Sequence, residues 1–284
     1  MDTILSIHPM MTTSSTMTTE WLELTTGKQF SRLLYTNPVC FLSTYVNNHD
    51  ASMNEAREQL SESASTTVSS SVDTDTAIRS PAVRNVMILS WLTATNNEGQ
   101  FCASLHKHRH TRCLLESSRQ FCLSIPTKEM ESLVLQVGSV SGKWGSKFPH
   151  DYKAGTDTTC DPAQKRSKKP KYPQGIPGLE TVGIGTCSEP TDTNGLFAIK
   201  GTIAHLECHI TQLLDSGVVD EHHVLVIAQV TRAFVDRRYW DSSKNLFRPL
   251  ANVSPYLTFF GSQTFGYVVS HVEQEHEEGA LGER

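Results

Sequence analysis

Branched and aromatic residues gather in short runs along this chain, and turn formers bound the runs. Val39 to Val46 (VCFLSTYV), Val86 to Leu92, Phe101 to Leu105, Phe121 to Ile125, Leu196 to Ile210 and Val224 to Val235 share this pattern. At least six strands are predicted. A helical spacing shows in fewer places: Phe30, Leu33 and Leu34 before the first run, Leu114 and Leu115 after Thr111, and Met130, Leu133, Val134 and Val137 after Pro126. These predict short crossover helices. Strands outnumber helices and do not alternate with them as in a doubly wound sheet, so the pattern favours a mainly β fold, a small barrel with flanking helices. No internal repeat is visible.

Polar stretches interrupt the pattern twice. Between Ser61 and Thr76, ten of sixteen residues are Ser or Thr, and such a segment cannot offset its ordering entropy with core contacts. Residues 47–83 are read as an insertion on this basis. A second insertion, 149–175, carries the basic run Lys165 to Lys171 among prolines and glycines. A solvated loop is the better reading of that run, with a nuclear import signal as the alternative. Setting aside residues 1–20, both insertions and an acidic tail at 271–284 leaves roughly 186 residues, which fits a single domain over 21–270.

Composition narrows the function. The 284 residues are 38% hydrophobic and 19% charged, enough apolar material for a sizeable core. A formal net charge of −5 argues against a phosphate-backbone binder, so nucleic acid is not expected as a partner. No run approaches the roughly 18 apolar residues of a membrane helix, and the first twenty residues lack the marks of a secretory or mitochondrial leader. A cytoplasmic protein without a membrane partner is expected. The seven cysteines include no C-x-x-C pair and read as reduced core residues.

Familiar motifs fail on their details. Gly138 to Trp144 (GSVSGKW) is one residue short of a phosphate loop and has Trp in place of the metal-binding hydroxyl, while Val140 occupies the place of a nucleophilic serine. Gly183 to Ser188 (GIGTCS) lacks the third glycine of a dinucleotide fingerprint. His205, Glu207 and His209 fall on one face if HLECH is a strand, but alternating polar residues on a half-exposed strand explain them better, and no metal is expected. His222 and His223 read as strand-edge residues. The segment of most interest is Leu105 to Arg112 (LHKHRHTR), a cationic turn leaving a strand and entering a helix. With Thr111 as the N-cap, free amides and the positive dipole end join the cations, and an anion site is predicted.

The order of segments resembles the flavin reductase-like family, whose members fold as FMN-binding split β-barrels. Tyr35-Thr36-Asn37-Pro38-Val39 is similar to the family's opening "Y..PV", and Asn85 to Trp91 (NVMILSW) to its "N....SW" strand. His110-Thr111-Arg112 followed by Phe121 to Ile125, then Gly142-Lys143 through Lys147-Phe148, resemble its "T..ni....F.vN" and "sG...dKF" stretches. His205 to Cys208, His222 to Val226, and Pro249-Leu250 through Gly261 and Tyr267 complete the order. Two departures stand out: Asn96 to Gln100 fills a turn where many relatives have a Pro-Pro pair, and Ser124 stands where Asn is usual.

The resemblance implies a flavoprotein, a homodimer with FMN near the subunit interface. Carried onto this chain, Asn85, Met87, Ser90, Trp91 and Thr93 would run along the isoalloxazine ring. Ser104, His106, His110 and Thr111 would contact phosphate or ribityl, with Lys107, Arg109 and Arg112 as nearby charge, and Lys143 and Phe148 would close the pocket. The implied activity is an FMN-dependent oxidoreductase that takes a hydride from NADH or NADPH and passes electrons to a small-molecule acceptor. Alternatives are an FMN-binding redox or structural protein without its own NAD(P)H turnover, and a pyridoxamine-phosphate-oxidase-like enzyme. No catalytic side chain is assigned; His106 and His110 are the titratable candidates near the site.

Overall fold

The computed structural model describes residues 20–33, 37–46, 83–151, 172, 174–186, 188, 195–215, 220–261 and 263–270. Residues 1–19, 47–82, most of the second insertion with its Lys165 to Lys171 run, the tail 271–284, and Leu34 to Thr36 lie outside these.

Seven strands form one antiparallel path, with an eighth alongside. In chain order they are β1 (Trp21–Leu24), β2 (Cys40–Val46), β3 (Val83–Leu89), β4 (Leu92–Ala94), β5 (Gln100–His106), β6 (Gln120–Ile125), then the short β7 (Thr181–Val182) and β8 (Ala198–Ile199), and β9 (Ala204–Leu214) and β10 (His223–Asp236). The sheet runs β3-β2-β6-β9-β10-β5-β4, with β1 added to the far end of β10. Small hairpins β11 (Trp240–Asp241) with β12 (Leu246–Phe247) and β13 (Tyr256–Gly261) with β14 (Thr264–Val268) complete the strands. The helices are α1 (Gly27–Arg32), α2 (His110–Ser118) and α3 (Glu131–Gly138). The curled half-barrel bears out the expectation of a mainly β split barrel.

Alternation along each strand explains the curl. Phe101, Ala103 and Leu105 of β5, Phe121, Leu123 and Ile125 of β6, Leu206, Cys208 and Ile210 of β9, and Val224, Val226, Ala228 and Val230 of β10 point into one core. Two register shifts in the β9/β10 ladder, at Ile227/Ala228 and Val230/Arg232, sharpen the twist that rolls the sheet around that core. Strand β2 belongs to two cores at once. Cys40 and Leu42 face the barrel interior, whereas Val39 and Phe41 face a second cluster with Val134 and Val137 of α3, Phe148, Phe197 and Leu257. A strand buried on both faces reads as continuous apolar sequence, as VCFLSTYV does.

Two sequence runs resolve more finely than their composition predicts. Val86 to Leu92 is broken at Ser90 and Trp91, and Leu196 to Ile210 is two strands separated by residues 200–203. The turn of residues 96–100 needs no proline: Asn96 Oδ1 accepts from the amides of Glu98 (2.9 Å) and Gln100 (3.0 Å), and Gly99 takes φ +88°. At the other departure, Ser124 Oγ accepts from Ile199 N at 3.2 Å, fastening β8 across the sheet. The five described cysteines, Cys40, Cys102, Cys113, Cys122 and Cys208, are free.

Candidate functional site

The outward-facing residues of β5 and β10 build one wall of a cavity. Cys102 and Ser104 alternate with the core residues of β5, and Ser104 lies opposite Leu225 of β10. Ser90 and Trp91, at the break between β3 and β4, and Leu92 and Thr93 of β4 form the next wall. Phe259, Phe260 and Gly261 of β13 close the far side, with Asn37 beside them. The space is about 570 Å³, within the ordinary range of cofactor sites. Its walls are largely apolar, suited to a flat ring, and Trp91 and Phe260 stand 57% and 75% exposed at its mouth.

One polar atom in this cavity stands out. Ser104 Oγ is buried and has no hydrogen-bond partner in the protein, a condition that costs free energy unless a ligand group completes it. The cavity therefore fits a ligand that combines an apolar ring system with a polar arm.

The cationic turn follows β5, two residues beyond Ser104. It differs from expectation at its cap: α2 begins at His110, Arg109 occupies the N-cap with no side-chain bond, and Thr111 lies inside the first turn. The Thr111 hydroxyl is buried and accepts from Asn85 Nδ2 at 2.8 Å. A β3 side chain, not the helix itself, claims it. Gly142 presses on the same pair, since a Cβ there would stand 2.3 Å from Asn85 Oδ1 and 3.2 Å from the His110 ring. Lys107 and Arg112 both reach Asp215, at 3.5 and 2.6 Å, and Arg112 also pairs with Glu116 at 2.7 Å. Their charge is largely neutralised within the protein.

Beneath the turn lies a group that sequence reasoning did not single out. Lys147 is 3% exposed, and its Nζ donates to the carbonyls of Val86 (2.7 Å) and Val137 (3.2 Å). Burial, with Arg109 nearby, pushes its amine down to about 7. His110 is lowered as well, by burial first and then by Lys147 and Lys143. Burial leads in both cases, so the two nitrogens under the start of α2 are held towards their neutral forms.

The residues expected from sequence thus fall into separate groups. Ser90, Trp91, Thr93 and Ser104 line the cavity. Asn85, His110 and Thr111 form the cluster around Gly142, while His106 ends β5, Lys107 and Arg109 occupy the turn after it, and Arg112 lies in the first turn of α2. Met87 packs against the barrel core, and Phe148 is buried edge-on to Phe197 in the second cluster. Lys143 lies over the Trp144 ring at 5.5 Å. Cys102, Leu225, Phe259 and Phe260 were missed. Strict alternation from Ser104 would have found Cys102, but no local signal ties β13 to β5.

The HLECH strand, expected to be half-exposed, is buried at its start. His205 is buried, its Nδ1 accepting from Gly185 N at 3.0 Å and its Nε2 2.9 Å from Thr202 Oγ1, while Trp21 packs on its ring. Burial lowers it to about 3, so it is neutral. Glu207 faces Arg232 at 3.7 Å and His209 is exposed.

Comparison with known proteins identifies the fold and the family. The model of the flavin reductase like domain matches residues 65–247, well over half the chain. Among solved structures, the chain is similar to an FMN-binding domain of a flavin reductases-like enzyme from Shewanella baltica, at 17% identity and TM-score 0.56, covering 89% of this chain and 97% of that one. It is also similar to nitrilotriacetate monooxygenase component B from Bacillus cereus, at 12% identity and TM-score 0.50, covering 95% and 100%. No curated protein sequence matches it. The fold of these structures, the family match, and a ring-sized cavity beside a cationic turn converge on one assignment: the chain belongs to the flavin reductase-like family.

Proposed function

We propose that this chain is an FMN-dependent oxidoreductase that draws electrons from NADH or NADPH and delivers them to a small-molecule acceptor. The observation that carries the reading is Ser104 Oγ, a buried hydroxyl without a partner, on the wall of an apolar cavity and on the strand that leads into the cationic turn. FMN pairs a flat ring with a polar chain ending in a dianion, and this arrangement answers each part. When bound, FMN supplies the hydride-accepting ring.

The protein's own contribution is positioning and charge. Trp91, Leu92 and Leu225 offer apolar contact for a ring, and Ser90 and Thr93 offer polar contacts along one wall. Ser104 donates to the polar chain. The Asn85–Thr111 bond fixes the first turn of α2, and the amines of Lys143 and Lys147 lie near the His110 ring there. No side chain needs to transfer a proton in this scheme.

A homodimer is part of the proposal. Trp91 and Phe260 at the cavity mouth leave a large apolar surface in water, which a second copy would cover while excluding solvent from the ring. The test is an absorbance spectrum of the purified protein, followed by anaerobic addition of NADH and NADPH. A yellow protein bleached by either supports the reading. A colourless protein that takes up no FMN on titration overturns it, and a yellow protein reduced by dithionite but by neither nucleotide favours a flavin-binding redox partner instead.

A further inference from the structure

A second cavity, of about 430 Å³, lies at the opposite end of β10 from the first. Leu225 lines the first cavity near the start of that strand, and Asp236, its last residue, lines the second, with on the order of 30 Å of strand between them. The two cavities share no lining residue. Trp21 of β1, Val182 of β7, Ile203 before β9 and Tyr239 after β10 give the second one apolar walls. Its volume suits a small molecule. Trp21 stands opposite Asp236 in the β1/β10 ladder, so an indole and a carboxylate meet at this end of the sheet.

Most polar groups in these walls are committed to the protein. Thr202 Oγ1 donates to Ile199 O at 2.6 Å, so His205 Nε2, 2.9 Å away, donates to that hydroxyl while Nδ1 accepts from Gly185 N. Thr186 Oγ1 donates to Gly183 O, and the Tyr239 hydroxyl to Ser254 O at 2.7 Å. Lys200 pairs with Glu180 at 2.6 Å. The exception is Arg238. Asp236 is 1% exposed, and its carboxylate accepts from Arg238 N, from Nε at 3.0 Å to each oxygen, and from Nη2. That pairing takes one edge of the guanidinium and fixes its plane. The other edge, Nη1 with the second hydrogen of Nη2, bonds to no described residue, and the side chain borders the cavity at 41% exposure. Two parallel N–H groups of this kind match the two oxygens of a carboxylate.

We propose that this second cavity binds a small carboxylic acid with a flat apolar body, its carboxylate on the open edge of Arg238 and its body against Trp21. Asp236 positions the guanidinium and cancels its charge, so recognition comes from paired hydrogen bonds and from apolar contact with the indole. For a one- or two-ring acid, a Kd on the order of 0.1–1 mM is expected. The site works with or without flavin in the first cavity.

The probe is 2-naphthoate, with neutral 2-naphthamide of the same shape as its control. The full chain, with and without FMN, is titrated with each by calorimetry while the indole N–H resonances of tryptophan-labelled protein are followed by NMR. Trp21→Phe and Trp91→Phe spectra assign the two signals that matter. Naphthoate should shift the Trp21 signal and leave that of Trp91 in place. It should bind roughly tenfold or more tightly than the amide, as a charge-assisted pair does against a neutral contact, and equally well when FMN is present. Arg238→Lys keeps a cation beside Asp236 but loses the planar edge, and should weaken naphthoate by about tenfold or more. Should that variant fail to fold by circular dichroism, the parent's Trp21 shift and its acid-to-amide ratio decide. Several results overturn the proposal: no saturable binding below about 10 mM, an amide that binds as well as the acid, a shift at Trp91 in place of Trp21, competition with FMN, or a folded Arg238→Lys protein that binds as the parent does. A chain that takes up no FMN fails the flavin reading alone, and the Trp21 shift still decides this site.

Discussion

Replacing Ser104 with alanine separates a ligand contact from a structural one. A buried hydroxyl without a partner costs roughly 1–3 kcal/mol in the empty protein, and Ser104 Oγ is such a group. Ser104→Ala removes that cost and leaves the strand and its inward neighbours Ala103 and Leu105 untouched. The flavin-free variant should therefore melt at the same temperature as the parent or higher, by roughly 2–4 °C for each kcal/mol recovered in a chain of this size. The loaded protein should respond in the opposite sense. A hydroxyl donating to a neutral oxygen contributes about 0.5–1.5 kcal/mol and to a charged one about 1.5–3, so the Kd for FMN should rise between roughly 2-fold and 150-fold. Ser104→Thr, which keeps the hydroxyl on a residue suited to strands, should restore most of the affinity. Calorimetric melting without flavin and fluorescence titration with FMN measure both arms. A variant with a lower flavin-free melting temperature and an unchanged Kd would refute the reasoning, since the hydroxyl would then serve the fold.

Three further outcomes follow from particular contacts. Gly142→Ala should cost about 1–3 kcal/mol in a denaturant melt and weaken FMN binding, because the new methyl meets an Asn85 amide that its bond to Thr111 prevents from yielding; an undiminished affinity would dissociate that cluster from the ligand. Lys147, held at about 7 when folded against an ordinary 10.5, binds more protons unfolded than folded between those values. Stability should therefore rise with pH across that window by up to about 1.4 kcal/mol per unit, and urea melts of Lys147→Met at pH 7, 8.5 and 10 should show a flatter dependence. For His205, lowered to about 3 from 6.5, the unfolded chain takes up the extra proton between those values, so stability is lost as pH falls below about 6.5; His205→Asn should be weaker at neutral pH yet lose less on acidification to pH 4.

The barrel was legible because its strands alternate. Phe101 to Leu105 and Phe121 to Ile125 were found within one residue at each end, and burial on both faces made β2 easier still. The cationic turn was visible as charge in a strand-to-helix context. Its wiring was not: Thr111 looks like a cap by type, yet a partner 26 residues earlier in the chain takes its hydroxyl, and no local pattern records so distant a bond. The same limit hid Phe259 and Phe260, which reach the cavity from the end of the chain, and Lys147, whose isolation depends on two carbonyls from other elements. Phe148 illustrates the reverse. Its place in a family pattern suggested a pocket lid, while its bulk serves the second core.

Because β2 contributes alternate side chains to both apolar interiors, neither can melt and leave the other intact. Loosening the helix-covered side strips Phe41 of its neighbours and frees the ladder that also seats Leu42, so damage on one side reaches the other within a single peptide step. The molecule should thus lose its structure in one concerted event, with amide exchange slowest along this strand and its neighbour β6. A substitution such as Val137→Ala, remote from the ring cavity, should shorten the lifetime of that cavity all the same.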